Sequence, residues 1–172
     1  MKPEIWYDWD NNKNQSVFEN NFYNLHATDI KEDTTMDANM KKRNELLAKT
    51  VIKGLESRNM SGYYAKDKET ALKQALELIP NGSTIAMGGC MSAHEIGLVK
   101  ALQDGDYNYI DRAKLEPREG LMAAYDADFF LSSANAVTDD GVLVNIDGNS
   151  NRVSCIAQGP KKVIFIVGIN KV

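Results

Sequence analysis

Residues 84–95 read TIAMGGCMSAHE and carry the pattern that decides the fold. The apolar stretch Thr84–Met87 predicts a strand, Gly88-Gly89 turns the chain, and a helix is predicted from Ser92 to Leu102. A strand that passes through glycines into a helix is typical of α/β domains, in which ligands bind beyond the carboxyl ends of parallel strands. The first amides of such a helix have no partner within it, so this turn is a candidate anion site.

The side chains at this turn are candidates for chemistry. Ser92 and Glu95 have the spacing of a capping box, in which a hydroxyl and a carboxylate bond each other's amides. Glu95 is also an acid/base candidate, Cys90 lies where a helix N-terminus stabilises a thiolate, and His94 is typical of an exposed position. Two interpretations stay open, a capped helix after a tight turn and an anion site. The residues of that anion site are Gly88, Gly89, Cys90 and Ser92.

The densest polar run of the chain follows an apolar strand predicted at 128–133. Asn145 and Asp147 alternate with apolar residues, so on a strand they share one face. Arg152 can bind a carboxylate or a phosphate through two parallel hydrogen bonds. Turn formation explains the Asp-Gly and Asp-Gly-Asn sequences in this run, but not the other polar residues. Asp147 is the second acid/base candidate. The further candidate ligand-binding residues are Asn135, Asp140, Asn145, Asn149 and Arg152.

The rest of the pattern alternates strands with helices. An amphipathic helix is predicted over 37–58, and Asp67 is the predicted cap of a second helix that ends at Leu78. Further elements are predicted at 61–65 (strand), 107–110 (strand), 117–125 (helix), 143–146 and 152–157 (a hairpin) and 163–167 (a strand buried on both faces). The predicted fold class is α/β, with three layers, a mostly parallel sheet and an inserted antiparallel hairpin.

The first 36 residues differ from the rest in composition. They carry seven acidic residues and three lysines, so the whole net charge of −4 lies in this segment. They also hold six of the aromatic residues, including both tryptophans, Trp6 and Trp9. Because a flexible tail does not normally carry such residues, we expect an arm that packs on its own domain or docks on a neighbouring subunit.

Composition also excludes several functions. The remaining residues, 37–172, carry equal numbers of acidic and basic side chains, so a nucleic acid is not an expected partner. No stretch approaches the roughly 20 apolar residues of a membrane span, and the start of the chain lacks the pattern of a secretory signal. The only cysteines, Cys90 and Cys155, do not form a zinc or disulfide pattern, and the carboxylates do not have the spacing of a calcium loop. We expect a cytoplasmic protein without a metal site or a dinucleotide fingerprint.

Two long segments resemble the LUD domain, a family named for lactate utilisation. They are GSTIAMGGCMSAHEIGLVKAL (82–102) and SANAVTDDGVLVNIDGNSNRVSCIAQGPKKVIFIVGINKV (133–172), and the likeness covers about residues 37–172. The resemblance implies a fold related to ribose-5-phosphate isomerases and CoA-transferases. In those relatives a glycine-rich turn binds phosphate or CoA groups, which here corresponds to Gly88, Gly89 and Ser92.

The resemblance leaves two functions open. The first is a protein of lactate or organic-acid utilisation that binds a small anionic metabolite (a phosphate, carboxylate or CoA-type ligand), with Glu95 or Asp147 as acid/base if it is an enzyme. The second is an accessory subunit without chemistry, because some LUD proteins work with iron–sulfur redox subunits. Further copies of the chain are another expected partner, and no cofactor is specified. Many members continue beyond the GINKV stretch with a helix, so we expect residues 1–36 to cover the sheet instead.

Overall fold

The structure, a computed structural model, describes residues 38–172, and the predictions for residues 1–36 lie outside that range. The helices, in chain order, are α1 (Ala38–Glu56), α2 (Lys68–Leu78), α3 (Met91–Glu95), α4 (Leu98–Asp104), α5 (Pro117–Tyr125) and α6 (Asn151–Ala157). The strands are β1 (Thr84–Met87), β2 (Asn108–Tyr109), β3 (Phe129–Ser132), β4 (Ala136–Val137), β5 (Leu143–Val144) and β6 (Lys162–Phe165). Short 3₁₀ turns lie at Arg112–Lys114 and Ile169–Lys171.

Four strands form a parallel sheet in the order β2-β1-β3-β6. The register pairs Ile85 with Phe129 and Phe130 with Val163. β4 and β5 form a separate antiparallel ribbon, inserted between β3 and β6 of the parallel sheet. This architecture confirms the predicted fold class.

Helices cover both faces of the parallel sheet. On one face, Ile85 and Leu131 pack with residues of α2 and α4, among them Leu98. On the other face, Phe130 packs against Ala124 of α5 and against α6. Burying a side chain as large as Phe130 contributes about 1.5–3 kcal/mol, so these two interfaces hold the three layers together. None of the helices in the described range combines the length and the apolarity that a membrane span requires.

The second half of α1 anchors the β4–β5 ribbon. Val51 packs with Val137, and the Arg58 guanidinium just beyond the helix donates a 2.7 Å hydrogen bond to the Asp140 carbonyl. At Gly54 the ribbon lies so close that a Cβ atom would stand 1.8 Å from that carbonyl oxygen. A glycine is therefore required in this helix, although glycine disfavours the helical state.

Residues 152–157 form a helix, so the predicted strand there is wrong. The turn-rich segment before it predicted a hairpin, but Arg152 and Cys155 are buried with helical spacing. A carboxylate outside the helix settles the conformation, since Asp147 accepts a 2.6 Å hydrogen bond from the Val153 amide in the first turn. β5 consequently pairs with β4 and not with this segment.

Three smaller predictions also need correction. Residues 61–65 form no strand, and the Tyr64 carbonyl accepts its hydrogen bond from the Gln74 side chain. The helix predicted over 92–102 is two short helices, because Gly97 adopts a left-handed conformation with φ of 78° between them. β6 is only partly buried, because it is the last strand of the described sheet.

Candidate functional site

The loops beyond β3 meet around one buried guanidinium, that of Arg152, which is 3% exposed. Its Nε donates to Asp147 Oδ1 at 3.0 Å, and Nη2 lies 2.9 Å from the same oxygen. Nη1 donates to Asn145 Oδ1 at 2.9 Å and to the Ser133 carbonyl, while Nη2 donates to Asn135 Oδ1 at 2.7 Å. Turn formation did not explain four polar residues of this run, and the structure brings them together: Asn135, Asn145, Asp147 and Arg152.

This network holds loops in place with the same hydrogen bonds that a ligand would use. The Asp147 side chain is 1% exposed and bonds both Arg152 and the amide of Val153. Asn135 bonds Arg152 and also accepts from the Ile146 amide at 2.9 Å. An anion that took two hydrogen bonds from Arg152 would have to displace these partners. The predicted roles of Asn135, Asn145, Asp147 and Arg152 toward a ligand therefore stay predictions.

Gly88 ends β1 directly beside this network. Its amide donates to the Leu131 carbonyl at 2.9 Å, and the residue is buried. A Cβ atom here would stand 3.0 Å from Arg152 Cγ and 3.0 Å from Phe130 Cζ. Packing of protein side chains is therefore sufficient to require glycine at this position.

The turn after Gly88-Gly89 differs from the predicted capped helix. Cys90, not Ser92, stands at the N-cap position, and no side chain caps α3. The Ala93 amide donates to the Cys90 carbonyl at 3.1 Å, and the Ser92 hydroxyl makes no hydrogen bond with the described residues. The predicted Ser92–Glu95 capping box is therefore wrong. Because α3 has only 5 residues, its dipole also adds less positive potential than a long helix would.

Cys90 is a protonated thiol and not a thiolate. The side chain is 2% exposed and donates a long hydrogen bond, 4.0 Å, to the Ile166 carbonyl. Burial raises the pKa of Cys90 to about 11, although the Ala93 amide and the charges of Lys171 and Arg152 act in the opposite direction. The expectation that the helix N-terminus stabilises a thiolate is therefore wrong, because desolvation outweighs the favourable groups.

Lys171 is a charged residue of this region that the sequence pattern did not single out. It lies in the 3₁₀ turn after β6, and its Nζ donates a 2.6 Å hydrogen bond to the Ala134 carbonyl beyond β3. Burial and the charge of Arg152 lower the pKa of Lys171. Nothing in the pattern INKV distinguishes this lysine from a solvated one, so only the fold reveals it.

Arg112 adds another cation at the same edge of the sheet. Its Nη1 donates at 3.3 Å to the carbonyl of Met87, the last residue of β1. Within the described residues, neither Arg112 nor Lys171 forms an ion pair with a carboxylate. The ends of β1 and β3 are thus surrounded by three cations, of which only Arg152 has a carboxylate partner in that range.

Two buried hydroxyls lie beyond the same two strands. Ser92 follows β1 and is 6% exposed, and Ser133 follows β3 and is 2% exposed. Neither Oγ has a hydrogen-bond partner among the described residues. A buried hydroxyl without a partner loses about 1–3 kcal/mol of solvation, so two of them on adjacent strands require an explanation.

The other candidate residues lie apart from this group or at its margin. The Asp140 carboxylate bonds Arg58 at 3.0 Å and also Thr138, and both interactions lower its pKa. Asn149 and His94 are exposed, and Glu95 is partly buried. The contacts of Asp140 anchor the ribbon to α1, which gives this residue a structural explanation.

The opposite edge of the sheet carries a shallow depression of about 350 Å³. It is lined by Asp128, Lys161 and neighbouring residues at the amino ends of the strands. Lys161 bonds Asp128 at 2.6 Å, so its charge is already compensated. Among residues 38–172, no group of three or more histidine, cysteine or acidic side chains could hold a metal ion.

The fold and this edge define the class of the protein, an α/β/α domain with a parallel sheet and polar loops beyond its carboxyl ends. The LUD domain matches residues 48–172, and the chain belongs to the LUD domain family, which is associated with lactate utilisation. Comparison with curated proteins and with solved structures gives no match.

Proposed function

We propose that this LUD domain binds a small anionic metabolite at the carboxyl edge of its sheet and thereby serves lactate or organic-acid utilisation. The site lies between the loops that follow β1, β3 and β6. Its ligand class is a short carboxylate or a phosphorylated or CoA-linked metabolite, as the family resemblance implies. The proposal keeps the place predicted from the glycine-rich turn but shifts the binding groups from helix amides to side chains.

The observation that carries the proposal is the pair of buried hydroxyls without partners, Ser92 Oγ and Ser133 Oγ. Native structures leave few such groups unsatisfied, and a bound ligand is one explanation for those that remain. A hydroxyl donates one hydrogen bond and accepts two, so both serines are suited to a carboxylate or phosphate oxygen.

The charges at this edge support an anion and not a cation. Lys171 has no carboxylate partner in the described range, and burial strengthens the interaction of its ammonium group with an approaching negative charge. Arg112 adds a second cation at the end of β1. A hydrogen bond from a charged donor to a carboxylate contributes about 1.5–3 kcal/mol.

In this proposal some residues contact the anion and others position them. Lys171 and Ser133 contact the anion, Ser92 adds a donor, and Arg152 positions the loop that carries Ser133 through its bond to the Ser133 carbonyl. Asp147 holds the Arg152 guanidinium in place. Glu95 remains the acid/base candidate if the bound metabolite is turned over.

A thermal-shift screen of the full chain tests the proposal, with L-lactate, pyruvate, phosphosugars and CoA esters as probes. A ligand at 100 times its dissociation constant adds about 2.7 kcal/mol of stability. We expect a hit whose affinity falls roughly 10- to 100-fold in Lys171→Met, which removes the charged donor. Ser133→Ala should weaken the same ligand to a smaller extent.

Two control variants lie at the opposite edge of the sheet. Lys161→Met removes a lysine that already has a carboxylate partner, and Ser83→Ala removes a buried serine whose Oγ donates to the Pro80 carbonyl at 2.6 Å. Both should leave the ligand affinity unchanged. No hit in the panel, or a hit that Lys171→Met and Ser133→Ala bind as tightly as the wild type, would contradict the proposal.

A further inference from the structure

The first half of α1 contains no fully buried residue. Of the 19 residues of this helix, only Ala48 and Val51 are buried, and both belong to its second half. Met40 is 44% exposed and Leu46 is 53% exposed. Most helices in proteins owe their stability to tertiary packing, so the exposed side chains of this half are available to a further partner.

One face of this helix combines an apolar residue with basic ones. Lys42, Leu46, Lys49 and Lys53 are spaced by four, three and four residues, so they form one stripe. All four side chains are exposed. Glu45 bonds Lys42 at 3.3 Å and Lys49 at 2.6 Å, but the whole helix still has five basic and two acidic residues. We name this stripe the basic face of α1.

The chain itself contains a segment with the complementary chemistry. Residues 1–36 carry the net charge of −4 and six aromatic side chains, and they lie one residue before the helix. Aromatic rings are the residues that most often anchor interfaces, and acidic groups beside them match the lysines of the basic face.

Chain length permits this contact within one molecule. A helix of 19 residues is about 28 Å long at 1.5 Å per residue, and an extended chain covers about 3.3 Å per residue. Roughly nine residues of chain are therefore enough to run back along the whole helix. An intramolecular partner is also present at a high effective concentration, which favours it over a second copy.

From these observations we infer that residues 1–36 dock on the basic face of α1 in the same chain. An aromatic side chain of the arm covers Leu46, and acidic residues of the arm pair with the surrounding lysines. The inference does not depend on the proposed anion site, since the residues of the basic face are exposed, whereas α1 packs on Ala134 and Val167 through the buried Val51.

Tryptophan fluorescence of the full chain provides a direct test. Both tryptophans of the protein, Trp6 and Trp9, lie in the arm, so their emission reports the surroundings of the arm alone. We expect emission shifted to shorter wavelength than that of N-acetyltryptophanamide and protection from acrylamide quenching. In Leu46→Ser both signals should move toward those of the free compound.

Matched variants separate docking from general effects of substitution. Met122 on α5 is 52% exposed, against 53% for Leu46, so Met122→Ser is the control for Leu46→Ser. Lys49→Glu reverses a charge of the basic face, and Lys100→Glu is its control because Lys100 also bonds an acidic residue four positions away. The two control variants should leave emission and quenching unchanged, and circular dichroism checks that every variant is folded.

Each result decides the inference. Quenching that rises in Leu46→Ser and in Lys49→Glu but not in the controls, at a monomer mass from light scattering, supports it. Tryptophans quenched as in the free compound in the wild type overturn it. Protected tryptophans whose quenching does not change in either variant of α1 also overturn it, because the arm then docks elsewhere. Protection that appears only as protein concentration rises also overturns it, since the arm then belongs to another copy.

Discussion

The two ends of the parallel sheet use the same chemistry in opposite surroundings. At the amino end, Asp128 accepts a hydrogen bond from the Thr84 amide at 2.8 Å and one from Lys161 at 2.6 Å. At the carboxyl end, Asp147 accepts from the Val153 amide at 2.6 Å and bonds Arg152. The first pair of side chains is 31% and 76% exposed, while the second is 1% and 3% exposed.

This difference shows which of the two ion pairs contributes more to the stability of the fold. Water screens the exposed pair and replaces either partner easily, so its net contribution is small. The buried pair has lost its water, and each member depends on the other and on the surrounding amides. Of these two ion pairs the buried one lies at the carboxyl end, which is the end at which open α/β sheets bind ligands.

Asp147→Ala should have the largest effect, because it leaves the Arg152 guanidinium buried without its carboxylate. We expect a loss of about 3–5 kcal/mol in the free energy of unfolding, a large part of the total for a domain of this size. Urea denaturation measures it. A loss as small as that of an exposed ion pair would mean that the two ends of the sheet do not differ as described.

High pH should destabilise the carboxyl end through Cys90. Its pKa is about 11 in the folded protein against 9.0 ordinarily, so the unfolded chain ionises first. The stabilisation is complete below about pH 9 and is lost as the pH rises towards 11, a change of about 3 kcal/mol. Urea denaturation at pH values across this interval should give a shallower decline for Cys90→Ala than for the wild type. Equal declines would contradict the buried thiol.

Gly88→Ala tests the close packing at the end of β1. The new methyl group would press on Arg152 and Phe130, and such overpacking costs about 1–3 kcal/mol. The loss should be smaller in an Arg152→Ala background, because the contact is then absent. Strict additivity in thermal unfolding of the single and double variants would argue against this contact. Gly82→Ala at the amino end is the comparison variant, because a Cβ atom there meets nothing within 4 Å. Its cost comes only from the φ of 77°, which disfavours alanine.

Asp128→Ala should have the smallest effect of the series. Its hydrogen bonds with Lys161 and the Thr84 amide lower the pKa of Asp128, but the pair is open to water. We expect a slight loss of stability that shrinks further as salt is added. A loss as large as that of Asp147→Ala, seen in the same urea experiment, would remove the contrast between the two ends.

Local patterns predicted most of the fold. The strands at β1, β3 and β6 were visible as apolar runs, and Asp67 accepts from the Thr70 amide as an N-cap should. Two failures arose from single residues whose effect the apolar pattern does not show. Asp147 turned residues 152–157 into a helix, and Gly97 divided the helix predicted over 92–102.

The candidate site was predictable only in part, because some of its residues acquire their role only in the tertiary fold. Asn135, Asn145, Asp147 and Arg152 were recognised together because turn formation did not explain them, and the structure places all four in one network. Lys171 was missed because its significance depends on the Ala134 carbonyl, which comes close only when β3 and β6 pair. The protonated state of Cys90 depends on burial, which a sequence motif does not show.

A crystal structure of the full chain with the anion that gives the strongest thermal shift tests the central claim most directly. We expect the anionic group of the ligand to lie within hydrogen-bond distance of Lys171 Nζ and Ser133 Oγ, with the Arg152–Asp147 pair intact. A ligand bound at the amino end instead, between Asp128 and Lys161, would contradict it.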